Sequence, residues 1–220
     1  MELLKLKLIN YHYMNLQLNN LNQLIKFIIL EKTVDLYKDK KKVQNNVPTE
    51  YETKFHAQED DAIGECYDKV ARTLGLSYPG GPVIDKLAQT GDSNAYKFPV
   101  LKDNGTYNFS YSGIKTAAIN LIHNMKQKNE EINLENFAAS FQKAVTAIVE
   151  LKLEKAIKEF KPNTLTVAGG VSANSEIRKI ISKLGDKYLI KYHFVPEMQY
   201  CTDNGAMIAN LAYEKYKTNK

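Results

Sequence analysis

The sequence has no tryptophan, and its 220 residues include only two cysteines, Cys66 and Cys201. These cysteines lie far apart in the chain and do not form a Cys-x-x-Cys pair. Small secreted domains that depend on disulfides carry several cysteines, so a disulfide framework is not expected here. The low cysteine content fits a protein of the reducing cytoplasm, which is the location that we expect.

Histidine is also scarce, and the four histidines are His12, His56, His123 and His193. No two of them are four residues apart, so no helix can present a pair of imidazoles on one face, as many zinc sites require. The sequence also shows no order of serine, histidine and aspartate, or of cysteine and histidine, that predicts a nucleophile with its base.

Long apolar runs are absent as well. A membrane-spanning helix needs roughly 20 mostly apolar residues, whereas the run LIKFIIL at residues 24–30 is short and contains Lys26. Charged and polar residues interrupt the apolar runs of the first residues, so the order of a signal peptide is missing. We therefore expect no membrane association.

The overall composition is that of a folded domain. Hydrophobic residues make up 44% and charged residues 25% of the chain, which is ordinary for a globular protein. The length allows one large domain or two small ones. The net charge of +5 is compatible with an RNA partner but does not require one, because lysine-rich surfaces are often simply solvated.

The character of the sequence changes near residue 50. Residues 1–50 are rich in lysine and asparagine and contain no glycine. Alternating residues at 3–9 predict a short strand, residues 21–38 could form a helix, and residues 38–48 are typical of a solvated linker closed by Pro48. We find no motif with a chemical function in this segment.

Strands alternate with helices after residue 51, which predicts an α/β domain. A helix is expected from Asp60 to Gly75, another after Pro79, a long one ending near Pro162, and further helices from Asn174 and Asp203; strands are expected at residues 165–168 and 188–195. The inward faces of three helices follow from apolar spacing and consist of Ile63, Cys66, Val70 and Leu74; Phe137, Phe141, Val145 and Ile148; and Ile177, Ile180, Ile181 and Leu184.

The stretch VAGGVSAN connects the strand at 165–168 to the following helix. Gly169 and Gly170 lack a Cβ, so a ligand could approach the main chain there. Asn174 stands at the helix start, where amide N–H groups suit a phosphate or ribose oxygen. A tight turn with an ordinary asparagine cap explains the same residues.

Two further stretches carry carboxylates that could bind hydroxyl groups. Asp68 lies on the polar face of its helix, where it could accept hydrogen bonds from a ribose diol or simply pair with Arg72 at i,i+4. In YPGGP, Gly81 could place its backbone against a ligand and Asp85 follows one turn later. A plain turn, with Asp85 stabilising its own helix start, is the alternative.

Two more stretches could bind ions. In FSYSGIKTA, two serines, a glycine and Lys115 could cradle an anion, although the pattern is not a P-loop, and aromatic packing beside a surface lysine explains it equally well. In CTDNGAMIA, Asp203 is a candidate metal ligand that needs partners from elsewhere. Its alternative is an aspartate cap of the helix that follows.

Taken together and in this order, DDAIGECYDKVARTLGLSYPGGPVIDKLA, FSYSGIKTA, VAGGVSAN and CTDNGAMIA resemble the TsaD family, the tRNA adenosine threonylcarbamoyltransferases once described as O-sialoglycoprotein endopeptidases. The resemblance runs from about residue 51 to about residue 213. It implies the second lobe of an actin-like ATPase fold, lacking its N-terminal edge, over residues 51–220. Residues 1–50 would be a diverged or unrelated segment.

The resemblance also implies a reaction and its ligands. The family transfers a threonylcarbamoyl group from threonylcarbamoyl-adenylate to the N6 amine of the adenosine beside the anticodon of ANN-reading tRNAs. Site residues that it implies are Asp68, Gly81, Asp85 and Asn174 for the adenylate or ATP, Gly169 and Gly170 along its base or ribose, and Asp203 for one divalent iron or zinc. Expected partners are tRNA and a TsaB-like paralogue, and neither DNA nor a membrane.

The sequence departs from the family in one respect that matters for activity. The family's His-x-x-x-His metal motif and its Ser-Gly-Gly-His phosphate strand both occur N-terminal to the matched region, and neither is found in this sequence. We therefore expect a truncated or split transferase, which does not form threonylcarbamoyl-adenosine on tRNA as a single chain. A non-catalytic module that binds nucleotide or partner proteins is the alternative, and a glycoprotease is the least supported reading.

Overall fold

The computed structural model describes residues 26–30, 63–99, 105, 107 and 109–218. The expectations for residues 3–9, for the linker at 38–48 and for Asp60 lie outside these ranges. The described elements are, in chain order, β1 (Lys26–Leu30), α1 (Ile63–Leu74), α2 (Gly80–Ala88), α3 (Ser112–Gln127), α4 (Leu134–Phe160), β2 (Thr164–Ala168), α5 (Ser175–Lys187), β3 (Tyr192–Phe194) and α6 (Gly205–Thr218).

The sheet has β2 in the middle. β1 pairs with it antiparallel, with Lys26 opposite Ala168, and β3 pairs with it parallel, with Thr164 opposite Tyr192. All five residues of β2 are buried. The expected central strand at 165–168 is therefore confirmed, within a mixed α/β arrangement.

Two expectations about strands and helices need correction. The helix considered for residues 21–38 is wrong at residues 26–30, which form β1. The segment KFIIL is rich in β-branched and aromatic residues, and the open edge of β2 offers it a complete ladder of hydrogen bonds. The last strand is also shorter than the expected 188–195, because only residues 192–194 pair with β2.

Helix α1 forms as its apolar spacing predicts. Ile63, Cys66 and Val70 are buried along one face. The helix ends where Gly75 adopts a φ of 82°, a left-handed conformation that costs glycine nothing and ends many helices. Leu76 N then donates to Ala71 O at 2.9 Å, which closes the last turn.

Helix α4 is the longest element and lies at the centre of the packing. Asn133 caps its start by accepting a hydrogen bond from Asn136 N at 2.8 Å. Phe137, Phe141 and Val145 are fully buried, as the periodicity predicts. The helix packs on α2 and α5, and Lys161 at its C-terminal end adopts a left-handed conformation before the turn into β2.

An exposed set of charges joins α4 to α5. Lys187 Nζ lies 2.6 Å from Glu154 Oε1, and the hydroxyl of Tyr188 donates to the same oxygen at 2.6 Å. The hydrogen bonds from Lys187 and then Tyr188 lower the pKa of Glu154 to about 2, against its ordinary value of 4.5. The bonds favour the ionised carboxylate, and folding therefore depends on pH through this group.

Acid should weaken this connection in a defined range. Because the pKa of Glu154 is lowered on folding, its contribution to stability is complete above about pH 4.5 and is lost as the pH falls toward about 2. Glu154→Gln should lower the free energy of unfolding near neutral pH and flatten its decline in that range, as measured by urea unfolding. Glu130→Gln, which loses only a 4.0 Å pair with Lys128, is the control and should retain the decline.

The close crossing of α1 and α2 requires Gly80. A Cβ at this position would lie 2.4 Å from Ala71 Cβ and 3.0 Å from Asp68 Cα, whereas a Cβ on Gly81 would meet no atom within 4 Å. Gly80→Ala should therefore lower the free energy of unfolding by about 1–3 kcal/mol. Gly81→Ala should be neutral or raise it by up to about 1 kcal/mol, because alanine favours the helix. Urea unfolding of both variants decides, and equal losses would contradict the close crossing.

Candidate nucleotide-binding site

The candidate site is built around the carboxyl end of β2. After Ala168 the chain turns at Gly169, which is buried and has a φ of 89°, a conformation that L side chains rarely adopt. A short 3-10 turn over Gly170–Ala173 then leads to Asn174 and α5. Gly170 is exposed, and a Cβ there would meet no atom within 4 Å. The main chain is therefore accessible at Gly170.

Asn174 is the N-cap of α5. Its Oδ1 accepts hydrogen bonds from Glu176 N at 3.1 Å and Ile177 N at 3.0 Å, so the capping alternative describes it correctly. Its Nδ2 donates to Gln142 Oε1 at 3.0 Å. Burial is the largest effect on the pKa of Tyr67 and raises it, whereas a side-chain hydrogen bond with Asn174 lowers it. Asn174 therefore interacts with Tyr67 as well as with Gln142.

Asp85 bonds a different helix from the one expected. Its Oδ1 accepts from Ser175 Oγ at 2.7 Å and from Gln142 Nε2 at 2.9 Å, and Ser175 N lies 3.2 Å from both carboxylate oxygens. The interpretation that Asp85 stabilises the start of its own helix is therefore wrong. The negative charge of Asp85 lies at the positive N-terminal end of α5 instead.

Asp68 also has a specific backbone partner. Its Oδ1 accepts the N–H of Gly80 at 2.7 Å, which satisfies a free donor at the start of α2. The expected pairing with Arg72 is replaced by this bond. Asp68 borders a pocket of about 270 Å³, whose lining comprises Glu65, Asp68, Lys69, Arg72, Leu76, Ser77, Tyr78 and Gly80. Gly81 follows directly in α2, with open space over its Cα.

Gln142 connects Asp85 to Asn174. It was not among the residues predicted from the sequence. The side chain is 5% exposed, and Tyr67 donates its hydroxyl to Gln142 Oε1 at 3.3 Å. Burial keeps the Tyr67 hydroxyl protonated by raising its pKa well above the ordinary value. A sequence signal did exist, because Gln142 is a polar residue at a core position between buried Ala138 and Val145. We call Tyr67, Asp85, Gln142, Asn174 and Ser175 the polar network.

Arg178 is a second residue that the sequence analysis missed. Its Nη1 donates to Ser172 O at 3.1 Å and to Pro196 O at 2.7 Å. The guanidinium thereby fixes the turn after β2 to the segment that leads from β3 toward residue 203. The orientation of the turn at Gly170 depends on this contact as well as on the Asn174 cap.

The stretch before α3 shows part of the aromatic packing that was the alternative to an anion cradle. Tyr111 is buried, and its ring stacks on Phe109 with centroids 6.2 Å apart. Ser110 Oγ and Ser112 Oγ lie 3.3 Å apart. The anion cradle expected from these residues stays a prediction.

Asp203 stands apart from the polar network. It is exposed and precedes α6, which begins at Gly205 and not at residue 203. Asn204 Oδ1 accepts from Met207 N at 3.2 Å, so Asn204 is the cap and the alternative role of Asp203 is wrong. In the part of the chain that the structure describes, no group of three or more histidine, cysteine, aspartate or glutamate side chains could hold a metal ion. A single exposed carboxylate does not fit a divalent metal by itself.

Both cysteines are free and buried, as expected without a disulfide framework. Burial raises the pKa of the Cys66 thiol to about 12, so Cys66 stays protonated and is a poor nucleophile. Within the described ranges, no helix has the length and apolar character needed to cross a membrane.

The fold and site describe an α/β domain with two accessible glycine turns and carboxylates near them. A family model, TsaD, tRNA N6-adenosine threonylcarbamoyltransferase, matches residues 46–210. The chain belongs to this family, as its motifs predicted.

Individual relatives agree with the family match, and each is named tRNA N6-adenosine threonylcarbamoyltransferase. The chain is 77% identical to that of Mycoplasma capricolum over 71% of its own length and 49% of the relative. It is 66% identical to that of Mesoplasma florum over 79% and 55%, and 51% identical to that of Caldicellulosiruptor bescii over 71% and 46%. The chain thus spans about half the length of the curated relatives it matches.

The bond between Asp68 and Gly80 gives a stability prediction. Asp68→Ala should lower the free energy of unfolding by about 1 kcal/mol, because Gly80 N–H loses its acceptor. Asp68→Asn keeps an acceptor oxygen and should cost less. The control is Glu65→Ala, which breaks only the exposed pair with Lys69 and should cost about 0.3–0.5 kcal/mol. Chemical unfolding in urea would contradict the bond if Asp68→Ala were no worse than Glu65→Ala.

Proposed function

We propose that this chain provides the second, nucleotide-binding lobe of an actin-like tRNA N6-adenosine threonylcarbamoyltransferase. The observation that carries the proposal is the position of the candidate residues, which come from three separate stretches of a TsaD-family sequence. Asp68 bonds the start of α2, Asp85 bonds the start of α5, and Asn174 shares Gln142 with Asp85. Gly81 lies in the first turn of α2, and Gly170 lies in the 3-10 turn that precedes α5. Both have open space over their Cα atoms.

The chemistry of these groups suits ATP or threonylcarbamoyl-adenylate. Asp68 can accept hydrogen bonds from ribose hydroxyls, and each bond to an ionised carboxylate contributes about 1.5–3 kcal/mol. The open backbone at Gly170, beside the buried turn at Gly169, can lie against the base or ribose. The side-chain amide of Asn174, at the N-terminus of α5, lies where a ligand oxygen would be favourable.

The reaction that the family name describes assigns a defined part to this lobe. The N6 amine of a tRNA adenosine attacks the threonylcarbamoyl carbonyl, a carbon–nitrogen bond forms, and the bond to the adenylate phosphate oxygen breaks. AMP leaves with the electron pair, and the amine loses a proton. Asp68, Asp85 and Asn174 would hold the adenylate so that its carbonyl faces the tRNA, which is catalysis by positioning.

The metal side of the reaction needs residues that these 220 do not supply. The sequence has no His-x-x-x-His or Ser-Gly-Gly-His motif, and among the described residues Asp203 does not belong to a group of three or more side chains that could hold a metal ion. The half of the relatives that this chain does not match would have to complete the site for iron or zinc. Until it does, the chain would act as a nucleotide- and partner-binding module, with tRNA and a TsaB-like paralogue as partners.

A complementation assay tests whether this chain binds the nucleotide while the unmatched half of the relatives completes the metal site. The purified chain, given the adenylate donor, tRNA and iron or zinc, should not modify the tRNA. The unmatched half of the Mycoplasma capricolum relative should restore incorporation of labelled threonine when it is added as a separate polypeptide. Asp203→Ala should abolish the restored activity. Transfer by the chain alone would contradict the proposal, and so would an added half that associates with the chain without producing activity.

Nucleotide binding by the chain alone is a separate arm of the same test. Calorimetric titration with an ATP analogue should show binding that Asp68→Asn weakens about tenfold, because a neutral amide accepts hydroxyl hydrogens less strongly than a carboxylate does. Asp203→Ala should bind as the wild type does. If the analogue does not bind to the wild type, or if Asp68→Asn binds equally well, the proposed site is wrong.

A further inference from the structure

We propose that Gln142 is a positioning residue that connects the carboxylate of Asp85 to the Asn174 side chain and, together with the backbone N–H groups of α5, holds that side chain in one orientation. The use of this orientation in ligand binding rests on the proposed function, whereas the orientation itself does not. Gln142 comes from α4, Asp85 from α2 and Asn174 from the start of α5, so a single buried amide connects three elements.

The direction of each bond follows from what its two atoms can do. An ionised carboxylate only accepts hydrogen bonds, so the group that faces Asp85 Oδ1 at 2.9 Å must be the NH₂ of Gln142. The carbonyl oxygen of Gln142 is then on the other side, where it accepts from Asn174 Nδ2 at 3.0 Å. Asn174 must in turn direct its own oxygen toward α5.

The hydrogen bonds run from Asp85 through Gln142 and Asn174 to the backbone of α5, and the α5 end imposes the same direction independently. Glu176 N and Ile177 N are backbone groups that can only donate, and both face Asn174 Oδ1. Reversing either amide would set two acceptors or two donors against each other. Each such mismatch would leave polar groups without partners in a site that is largely closed to solvent, which is unfavourable. Both ends therefore select one orientation of Gln142 and one of Asn174.

Tyr67 supports the same orientation of Gln142. Its hydroxyl donates to Oε1 at 3.3 Å, and its ring is held edge-on against Phe141, with centroids 5.2 Å apart. This bond is longer than the other two, and Gln142 keeps both its bond to Asp85 and its bond from Asn174 without it. Tyr67 is thus a supporting contact, and the Asp85 carboxylate and the backbone N–H groups of α5 set the direction of the bonds.

The consequence for a ligand is that the side-chain amide of Asn174 presents its atoms in fixed positions. Nδ2 of Asn174 is held on Gln142 Oε1 and interacts with Tyr67, so the amide group keeps a constant direction. If Asn174 could flip, its oxygen would take that place and repel an incoming ligand oxygen. Gln142 need not touch the ligand to affect its affinity.

A double-mutant cycle tests the role in binding. Gln142→Met keeps the length of the side chain but removes both polar atoms, and it should weaken binding of an ATP analogue about tenfold. In an Asn174→Ala background, the same substitution should change affinity less than twofold. The matched control is Thr146→Val, one turn along α4, whose hydroxyl bonds only α4 carbonyl oxygens, Gln142 O and Lys143 O. Additive losses from Gln142→Met and Asn174→Ala would overturn the role in binding.

A second measurement does not depend on nucleotide. In NMR spectra of ligand-free protein, the side-chain NH₂ signals of Gln142 and Asn174 should exchange slowly with solvent. Gln142→Met should remove the protection of Asn174, and Thr146→Val should preserve it. If Gln142→Met does not fold, Asp85→Asn keeps the shape at the other end and should also reduce protection, because an amide can face Gln142 with either atom.

The two measurements separate the two proposals. If the side-chain amides are protected as expected while the wild type does not bind nucleotide, the positioning by Gln142 stands and the proposed function fails. If both amides exchange freely in the folded wild type, the positioning role is wrong whatever the titrations show.

Discussion

The packing of one face of α4 against its neighbours is the constraint on which the rest of the structure depends. This face is apolar for most of its length, with Phe137, Phe141 and Val145 fully buried. It also contains Gln142, a polar side chain that is not tolerated in a core unless its hydrogen bonds are made. Burial of the face therefore requires α1, α2 and the start of α5 to approach with complementary groups. The apolar residues supply most of the stabilisation, and the amide selects which arrangement of the elements is compatible with it.

The sequence predicts those parts of the fold whose determinants are local. Helical spacing of apolar residues identified α1, α4 and α5 and their buried faces, and the apolar stretch before a double glycine identified β2. The failures concern β1 and β3. Residues 26–30 are rich in β-branched and aromatic residues, but the apolar spacing around them also fits a helix, and the strand is completed by pairing with residues 164–168 far along the chain. A preference for one structure is overridden when a distant partner offers a complete hydrogen-bond ladder.

In the candidate site, too, the features with local determinants were predictable and those with distant partners were not. The glycine turn and the Asn174 cap could be predicted because they depend on neighbouring backbone. Asp68 and Asp85 could not be placed by local rules, which assigned them to Arg72 and to the start of α2. Their actual partners are Gly80, twelve positions away, and Ser175, ninety positions away. Each aspartate is bonded at the start of a helix other than its own, which gives each charge a structural role between two helices.

The binding and metal sides of the proposed reaction differ in how they are built. Asp85, Gln142 and Asn174 are fixed by bonds that cross between helices, so in the proposed reaction the geometry of the nucleotide side would be set within this domain. Asp203 has no bond to this polar network; it is an exposed residue on the segment that Arg178 connects to the turn after β2 through Pro196 O and Cys201 Sγ. Since no group of three or more metal-binding side chains occurs among the described residues, a single carboxylate at Asp203 would need ligands from elsewhere. In the proposed reaction, the metal side would therefore be the side on which this domain depends on another half.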